Sequence, residues 1–548
     1  MTLMSLFGGL NAFAQTYTTI NGVKYGLMSD NKCIVIGDAG AKGDITFENE
    51  VTINDHTYPV TGVCGSGDYS DEAKDQKKGF SGNTNITGIT FKTGSQITWI
   101  GDHAFKSCSI LKTINKVPAL DFINSWCFEG TALESVDLSQ TKLQYLPNGC
   151  FYNCEKLKEV KLPPTLTTPN SGNWVEADDA KYGKQAFQKT AIVSIDLTNT
   201  QLISLGDYMF ADCKSLNTVK LPSSLKYIWN HAFCNSSLSS IMFPRSLQKI
   251  DAWAFQNTQL TNVVIPTQCS SIEQGAFSEN ANLTTVFING VKCYLAVYAF
   301  ANCGNLKDVY ITSNDEPNAE RYGYPFKNNS ADLTVHVVPN YLDTFTKLVT
   351  CNAPKFDSNF SLTLGKEWTT LTSAYNLDFS NVEGGLTAYT AKYNKDNDAV
   401  ALTPVKKVAA HTGLILKGEK GKTYTLPILA SYADGLDAVT DNQLVDCVDA
   451  VWSSSRDKDY FLSNGKFVKS ENAGWALPGK SFLYISSGRV NKSESPLRVY
   501  VDNTATAING ITNNPVVKDE AYYNLQGVKV QRPQHGVFIH NGKKVVLK

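Results

Sequence analysis

A phenylalanine returns along the middle of this chain at an almost fixed interval: Phe80, Phe105, Phe128, Phe151, Phe187, Phe210, Phe233, Phe255, Phe277, Phe300 and Phe326. The spacings are 25, 23, 23, 36, 23, 23, 22, 22, 23 and 26, and seven of them are 22 or 23. A unit of that length cannot bury its own apolar face. It must stack on copies of itself, so the period predicts a solenoid with one continuous core.

The columns around the anchor show what the period serves. The residue before it is mostly small: Gly79, Ala104, Cys127, Cys150, Ala186, Ala232, Ala254, Ala276 and Ala299. Close packing of neighbouring coils requires that. Three residues after the anchor stand Asn83, Cys108, Thr131, Cys154, Thr190, Cys213, Ser236, Thr258, Asn280, Cys303 and Asn329. All are small and can hydrogen-bond, so this column is expected to serve carbonyls buried at each corner. Cysteines in these two columns are read as buried thiols. Cys150 and Cys154 lack the second pair that a zinc site needs. The sequence leaves open the disulfide state of Cys33, Cys64, Cys269, Cys293, Cys351 and Cys447.

A strand motif follows each anchor. Leu157-x-x-Val160-x-Leu162-Pro163 recurs from Leu216 to Pro222, Leu238 to Pro244 and Leu260 to Pro266. Alternation with period two predicts a short strand with two residues facing inward. The proline stops it because it cannot donate to a ladder. A second pair, as in Leu225-x-x-Ile228 and Leu247-x-x-Ile250, begins the return path.

The combined pattern, L-x-x-V-x-L-P-x-x-L-x-x-I-x-x-x-A-F-x-x-C, resembles the BspA-like class of leucine-rich repeats over about residues 60–340. The resemblance implies a mainly β solenoid of about 11 coils of 22–26 residues. It also implies an exported or surface protein of the kind found in anaerobic oral and gut bacteria. Some members of that class are adhesins for host matrix proteins or other cells.

The rest of the chain is read in modules. Residues 1–14 look like a signal peptide, with the apolar run Leu3 to Leu10 before Ala12-Phe13-Ala14. Residues 15–75 are expected to cap the solenoid, opening with an Asn21-Gly22 hairpin. The solenoid is placed at 76–350, its last strand at Leu333 to Pro339. Short alternating segments with Gly and Asn turns suggest a β-sandwich-like accessory domain over 356–500. A linker (501–520) and a β-hairpin tail (521–548) complete the chain. The tail resembles the C-terminal sorting signals of type IX secretion substrates. The one long interval, 36 residues, carries an insertion near Pro169 to Lys184 that must loop out.

Fifty basic against 51 acidic residues give a net charge of −1, which argues against a nucleic-acid binder or a polybasic membrane surface. No stretch approaches the ~20 apolar residues of a transmembrane helix. No H-E-x-x-H, Walker loop or G-x-S-x-G occurs. The chain is therefore not read as an enzyme, and no cofactor or metal is expected.

Binding surfaces are sought where the repeat varies. The outward slot of successive strands reads Thr90, Asn115, Asp137, Lys161, Asp196, Lys220, Met242, Val264, Phe287 and Tyr310. The last four form an apolar stripe, which either binds a ligand or packs on the second domain. Two residues before each anchor lies an aromatic-rich column that includes His103, Trp126, Tyr208, His231, Trp253, Tyr298 and Tyr324. Exposed aromatics can anchor a protein or stack on sugars, or they can simply pack against neighbouring loops. The expectation is a monomeric, exported, adhesin-type protein that binds a host matrix or cell-surface partner. A glycan-binding accessory protein, or an enzyme with an unrecognised site in the β-domain, is the alternative.

Overall fold

The computed structural model describes residues 17–28, 30–65, 79–115, 120–168, 183–290, 292–312, 325–348, 354–439, 441–453, 458–470, 474–489 and 496–501. Of the tail it describes the strand backbones 522–523, 529–530, 536–540 and 543–547. The expected signal peptide, the linker, Tyr324, Cys351 and most of the insertion lie outside these residues.

The chain is mainly β, and its repeats wind into a solenoid of about 11 turns. The anchor phenylalanines form its axis. All eleven are buried, and neighbouring rings stack at 5.1–5.9 Å with planes within 18°. Burying one such ring stabilises the fold by about 1.5–3 kcal/mol, so the spine supplies a large share of what holds each coil. The long interval leaves the spine intact. Phe151 and Phe187 stack at 5.7 Å, and Phe151 N–H reaches Ala186 O at 2.9 Å. The coil is thus rejoined across the insertion as if it were absent.

The small polar column does the work expected of it. The thiols of Cys108, Cys154 and Cys213 donate to Phe80 O, Phe128 O and Phe187 O at 3.0 Å, and Cys303 reaches Phe277 O at 3.2 Å. Asn280 and Asn329 donate their amides to Phe255 O and Phe300 O. Six coils thus satisfy the anchor carbonyl of the coil before them, while Thr190 donates to its own anchor carbonyl and Thr258 to Asn280 Oδ1. The Ser236 hydroxyl is buried without a partner.

Two parallel sheets run along the solenoid. The first takes the strands of the Leu-x-x-Val-x-Leu motif, such as Ser194–Asp196 on Thr218–Lys220 and Asn262–Ile265 on Thr285–Ile288. The second takes the return pairs Ser204–Leu205, Tyr227–Ile228, Lys249–Ile250, Ser271–Ile272 and Tyr294–Leu295. The coil from Leu238 to Pro244 departs from the pattern. Ser240 makes only a single bridge to Thr218, and buried Phe243 turns its ring edge-on to Phe255 where most other coils place Leu or Ile.

At the N-terminus, Tyr17–Ile20 and Val23–Leu27 pair antiparallel through Asn21 and Gly22, both left-handed. Their sheet continues through Cys33–Asp38 and His56–Val63 into the return strands of the first coils. At the other end the first sheet runs one strand further than the sequence motif: Thr334–Val337 is followed by Lys355–Asp357, parallel to it. The helix Leu342–Leu348 covers that end with buried Phe345.

Beyond residue 357 the described chain remains β-rich. A five-stranded sheet runs Trp368–Leu371, Leu414–Lys417, Thr387–Asn394, Ala399–Val405 and Arg498–Val501, the last pair parallel. The tail strands Gly536–His540 and Lys543–Leu547 pair antiparallel within a four-stranded sheet.

Candidate functional site

The two candidate surfaces fall on different sides of the coil, and the structure treats them differently. In the apolar stripe, Tyr310 is 2% exposed and Phe287 is half-buried. Their rings stack at 4.6 Å and pack with Phe360 and Tyr375 of the β-rich region. The Ser361 N–H donates to the Tyr310 hydroxyl at 3.2 Å. Met242 and Val264, lower in the stripe, are half-buried. Near them Asp449 accepts from Thr267 N–H at 2.9 Å and from the Thr267 hydroxyl, with Arg245 3.7 Å away. Asn289 donates to Val448 O, and Pro244 bridges to Ala450. An apolar contact at one end and a hydrogen-bonded contact at the other thus seat the β-rich region on the last coils.

One more ring continues the stripe. His336 lies 4.3 Å from Tyr310, stacked, and its side chain is only 4% exposed. Nδ1 meets Asp357 at 2.6 Å and Nε2 meets Asp308 at 3.0 Å. A carboxylate only accepts, so both ring nitrogens donate and the imidazole is charged. Burial opposes that charge, but the hydrogen bonds of Asp357 and Asp308 outweigh it and hold the pKa above the ordinary value of 6.5. The sequence placed this histidine only in a last strand; its partners come from one coil earlier and one strand later.

The aromatic column has a property that its sequence did not signal. His103, Trp126, Gly149, Gln185, Tyr208, His231, Trp253, Gly275 and Tyr298 all adopt φ between 53° and 62°. This is left-handed backbone, which costs a non-glycine residue roughly 1–2 kcal/mol. The corner has a second left-handed position, four residues later. There the sequence reads Gly82, Ser107, Gly130, Asn153, Lys189, Asp212, Asn235, Asn257, Glu279, Asn302 and Asn328. Asn, Asp and Gly dominate, as the backbone alone would choose. The first position contains no Asn or Asp at all.

Stacking between coils offsets part of that strain. Tyr208 and His231 stack at 4.6 Å, His231 and Trp253 at 5.1 Å, and His103 and Trp126 at 6.5 Å. Each such pair contributes about 0.5–1.5 kcal/mol. Each Trp then lies over a glycine of the next coil. A Cβ added at Gly149 would fall 2.1 Å from the Trp126 ring, and one at Gly275 would fall 2.6 Å from the Trp253 ring. The rings stay half-exposed at their edges, and Tyr298 is 36% exposed with Lys327 5.3 Å from its ring centre. Burial lowers the His231 pKa. Asp207 stands beside it, its pKa raised chiefly by burial. Trp229, absent from the sequence candidates, lies two residues before His231; its indole N–H is buried without a partner, and Lys249 is 5.5 Å from its ring.

Two further features bear on other activities. A cavity of about 600 Å³ in the β-rich region is lined by Glu367, Thr387, Tyr389, Lys417, Glu419 and Lys420. Among the described residues no helix is long and apolar enough to cross a membrane.

Residues 76–175 and 180–307 match the BspA type leucine-rich repeat region, in six copies. Solved structures similar to the chain include a leucine-rich repeat protein from Bacteroides ovatus (20% identity, 60% of this chain and 80% of that one, TM-score 0.39). Others are a leucine-rich cell surface protein from Faecalibacterium prausnitzii (18% identity, 63% and 95%, TM-score 0.34) and the pneumococcal vaccine antigen PcpA (17% identity, 63% and 99%, TM-score 0.34). No curated protein matches the chain. The family match falls on the coils whose phenyl spine and corner hydrogen bonds are described above, and this stretch of the chain is a BspA-type leucine-rich repeat region.

Proposed function

We propose that the chain is an exported, non-enzymatic binding protein of adhesin type, held at the cell surface or released. Its solenoid engages a protein partner such as host matrix or another cell's surface, through the aromatic strip of Trp126, Tyr208, His231, Trp253 and Tyr298. One observation carries this reading: bulky rings occupy a left-handed backbone position that Asn or Gly would fill with less strain, as they do four residues later in the same corner. Stacking offsets only part of the strain, so stability gives little reason to prefer a ring there. Interface chemistry does, because Tyr and Trp dominate binding hot spots. In the apolar stripe, Phe287 and Tyr310 serve to seat the accessory β-domain at 356–500, while Met242 and Val264 border the seat and extend the partner surface. The signal at 1–14 and the tail at 521–548 supply export and sorting.

The test uses asparagine, which tolerates the same backbone. A Trp126→Asn, Tyr208→Asn, Trp253→Asn variant is expected to keep its circular dichroism and lose at least about tenfold in capture of matrix proteins and co-resident cells. Capture equal to that of the unaltered chain would remove the strip from the binding role. A glycan array run beside it separates the sugar reading, which is the weaker one because the ring faces are already stacked on one another.

A further inference from the structure

We propose that Cys269 and Cys293 form an oxidation site, closing as a disulfide that staples two adjacent coils where the β-rich region is seated. The described cysteines are buried, but their thiols fall into different settings. Those of Cys108, Cys154, Cys213 and Cys303 each donate to an anchor carbonyl at 3.0–3.2 Å and have a structural task. Cys269 and Cys293 stand outside that column. Their contacts to carbonyls are long, 3.5 Å to Ser271 O and 3.9 Å to Tyr294 O. They stand instead beside each other: a single point next to Gly290 lies 2.3 Å from Cys269 O and 2.9 Å from Cys293 Cβ.

Their place in the repeat makes the pairing specific. The position before the return strand is Leu225 in one coil and Leu247 in the next, both fully buried. In the following coil that position is Cys269, 0% exposed; in the coil after it Lys292 takes the position and turns outward, and Cys293, one residue later and 3% exposed, faces inward. A thiol fills a leucine position less well than leucine does, so packing does not explain Cys269. Ser271 pairs with Tyr294, and Tyr294 N–H reaches Ser270 O at 2.8 Å. That register sets residue 270 opposite Cys293 and makes Cys269 its diagonal neighbour. Gly290 keeps the corner tight: a Cβ there would lie 2.3 Å from Cys269 O and 2.9 Å from Cys293 Cβ. The next residue back, Asn289, bonds to Val448 O of the β-rich region.

The chemistry balances with a small-molecule disulfide such as oxidised glutathione as the oxidant. One cysteine thiolate attacks it, forming a mixed disulfide and releasing one glutathione thiol. The second cysteine thiolate then displaces the other glutathione. Two S–H bonds are lost, one Sγ–Sγ bond forms, and two electrons and two protons end on the two glutathione thiols. The neighbouring Cys269 side chain, with burial, holds the Cys293 thiol well above its ordinary pKa, so the packed corner reacts slowly and the bond forms as the coils assemble. The site meets an oxidising compartment only if the chain is exported, as proposed above, but its chemistry is testable without that.

The full chain is unfolded under reducing conditions, refolded in a glutathione redox buffer, denatured, alkylated and digested without reductant. Mass spectrometry is expected to find most of Cys269 and Cys293 in one linked peptide pair, and Cys108, Cys154, Cys213 and Cys303 alkylated. Adding reductant before alkylation should convert the pair to two alkylated peptides. Cys269→Ala should release Cys293 to alkylation. Full alkylation of both cysteines in the unaltered, refolded chain would overturn the proposal. That result leaves the partner-capture assay untouched, so the two readings fail separately.

Discussion

Replacing His336 by phenylalanine is the sharpest probe of how the solenoid end is held. The substitution keeps a flat ring against Tyr310, so the stack worth about 0.5–1.5 kcal/mol remains. It removes the two charge-assisted hydrogen bonds to Asp357 and Asp308. Such bonds contribute about 1.5–3 kcal/mol each when well buried. The carboxylates are 35% and 38% exposed, so water screens part of that, and about 2–3 kcal/mol for the pair is a fair total.

The pH dependence follows from the direction of each shift. His336 titrates above 6.5 in the folded chain, so its stabilisation is complete below that value and is lost as pH rises through the folded pKa. Burial alone would raise Asp357, but its hydrogen bond to His336 outweighs that and brings it below 3.8. Its stabilisation is present above 3.8 and lost as pH falls through the folded value. Between the two the junction is tightest. Urea unfolding of the unaltered chain and of His336→Phe, followed at about pH 6 and about pH 9, should show a gap of about 2–3 kcal/mol that narrows markedly at the higher pH. Parallel profiles with a constant gap would refute the charged-histidine reading of the junction.

Gly275→Ala places a Cβ on left-handed backbone and against the Trp253 indole, so it should lower stability by about 2–4 kcal/mol in thermal unfolding. Adding Trp253→Asn should recover at least about 1 kcal/mol of that, whereas simple additivity of the two changes would deny the contact. Asp449→Asn keeps the shape but weakens the bonds to Thr267 and the attraction to Arg245. It should cost about 1–2 kcal/mol and speed limited proteolysis in the β-rich region; an unchanged cleavage rate would show that this contact does not hold the seat.

Much of the solenoid was legible because its signals are local and repeated. Phe210, Cys213, Val219 and Leu221 each stand in a column, and the same physics acts in every coil. The corner thiols were readable because Asn, Thr and Ser alternate with Cys, which only a shared hydrogen-bonding duty explains. The left-handed backbone of the aromatic column was not legible, because its usual markers, Gly and Asn, appear at only Gly149 and Gly275. The seat on Phe287 and Tyr310 was legible only as one of two outcomes. An outward apolar slot announces that something covers it, and only the three-dimensional path of the chain shows Phe360 and Tyr375 arriving there. The extra parallel strand Lys355–Asp357 was hidden for a similar reason: after the helix Leu342–Leu348 it no longer carries the repeat's spacing.

The Trp-over-glycine contacts limit how such a gene can grow. Most coils meet their neighbours through interchangeable parts: a phenyl face, a corner donor and a short parallel strand. Duplicating or deleting one period there would leave every junction chemically satisfied. The coils bearing Trp126 and Trp253 are not interchangeable in that sense, since each demands a residue without a side chain in its successor. Recombination that cut between Trp253 and Gly275, or between Trp126 and Gly149, would join an indole to a side chain it cannot accommodate. Repeat number can therefore drift elsewhere along the array, while these two coil pairs are inherited as units.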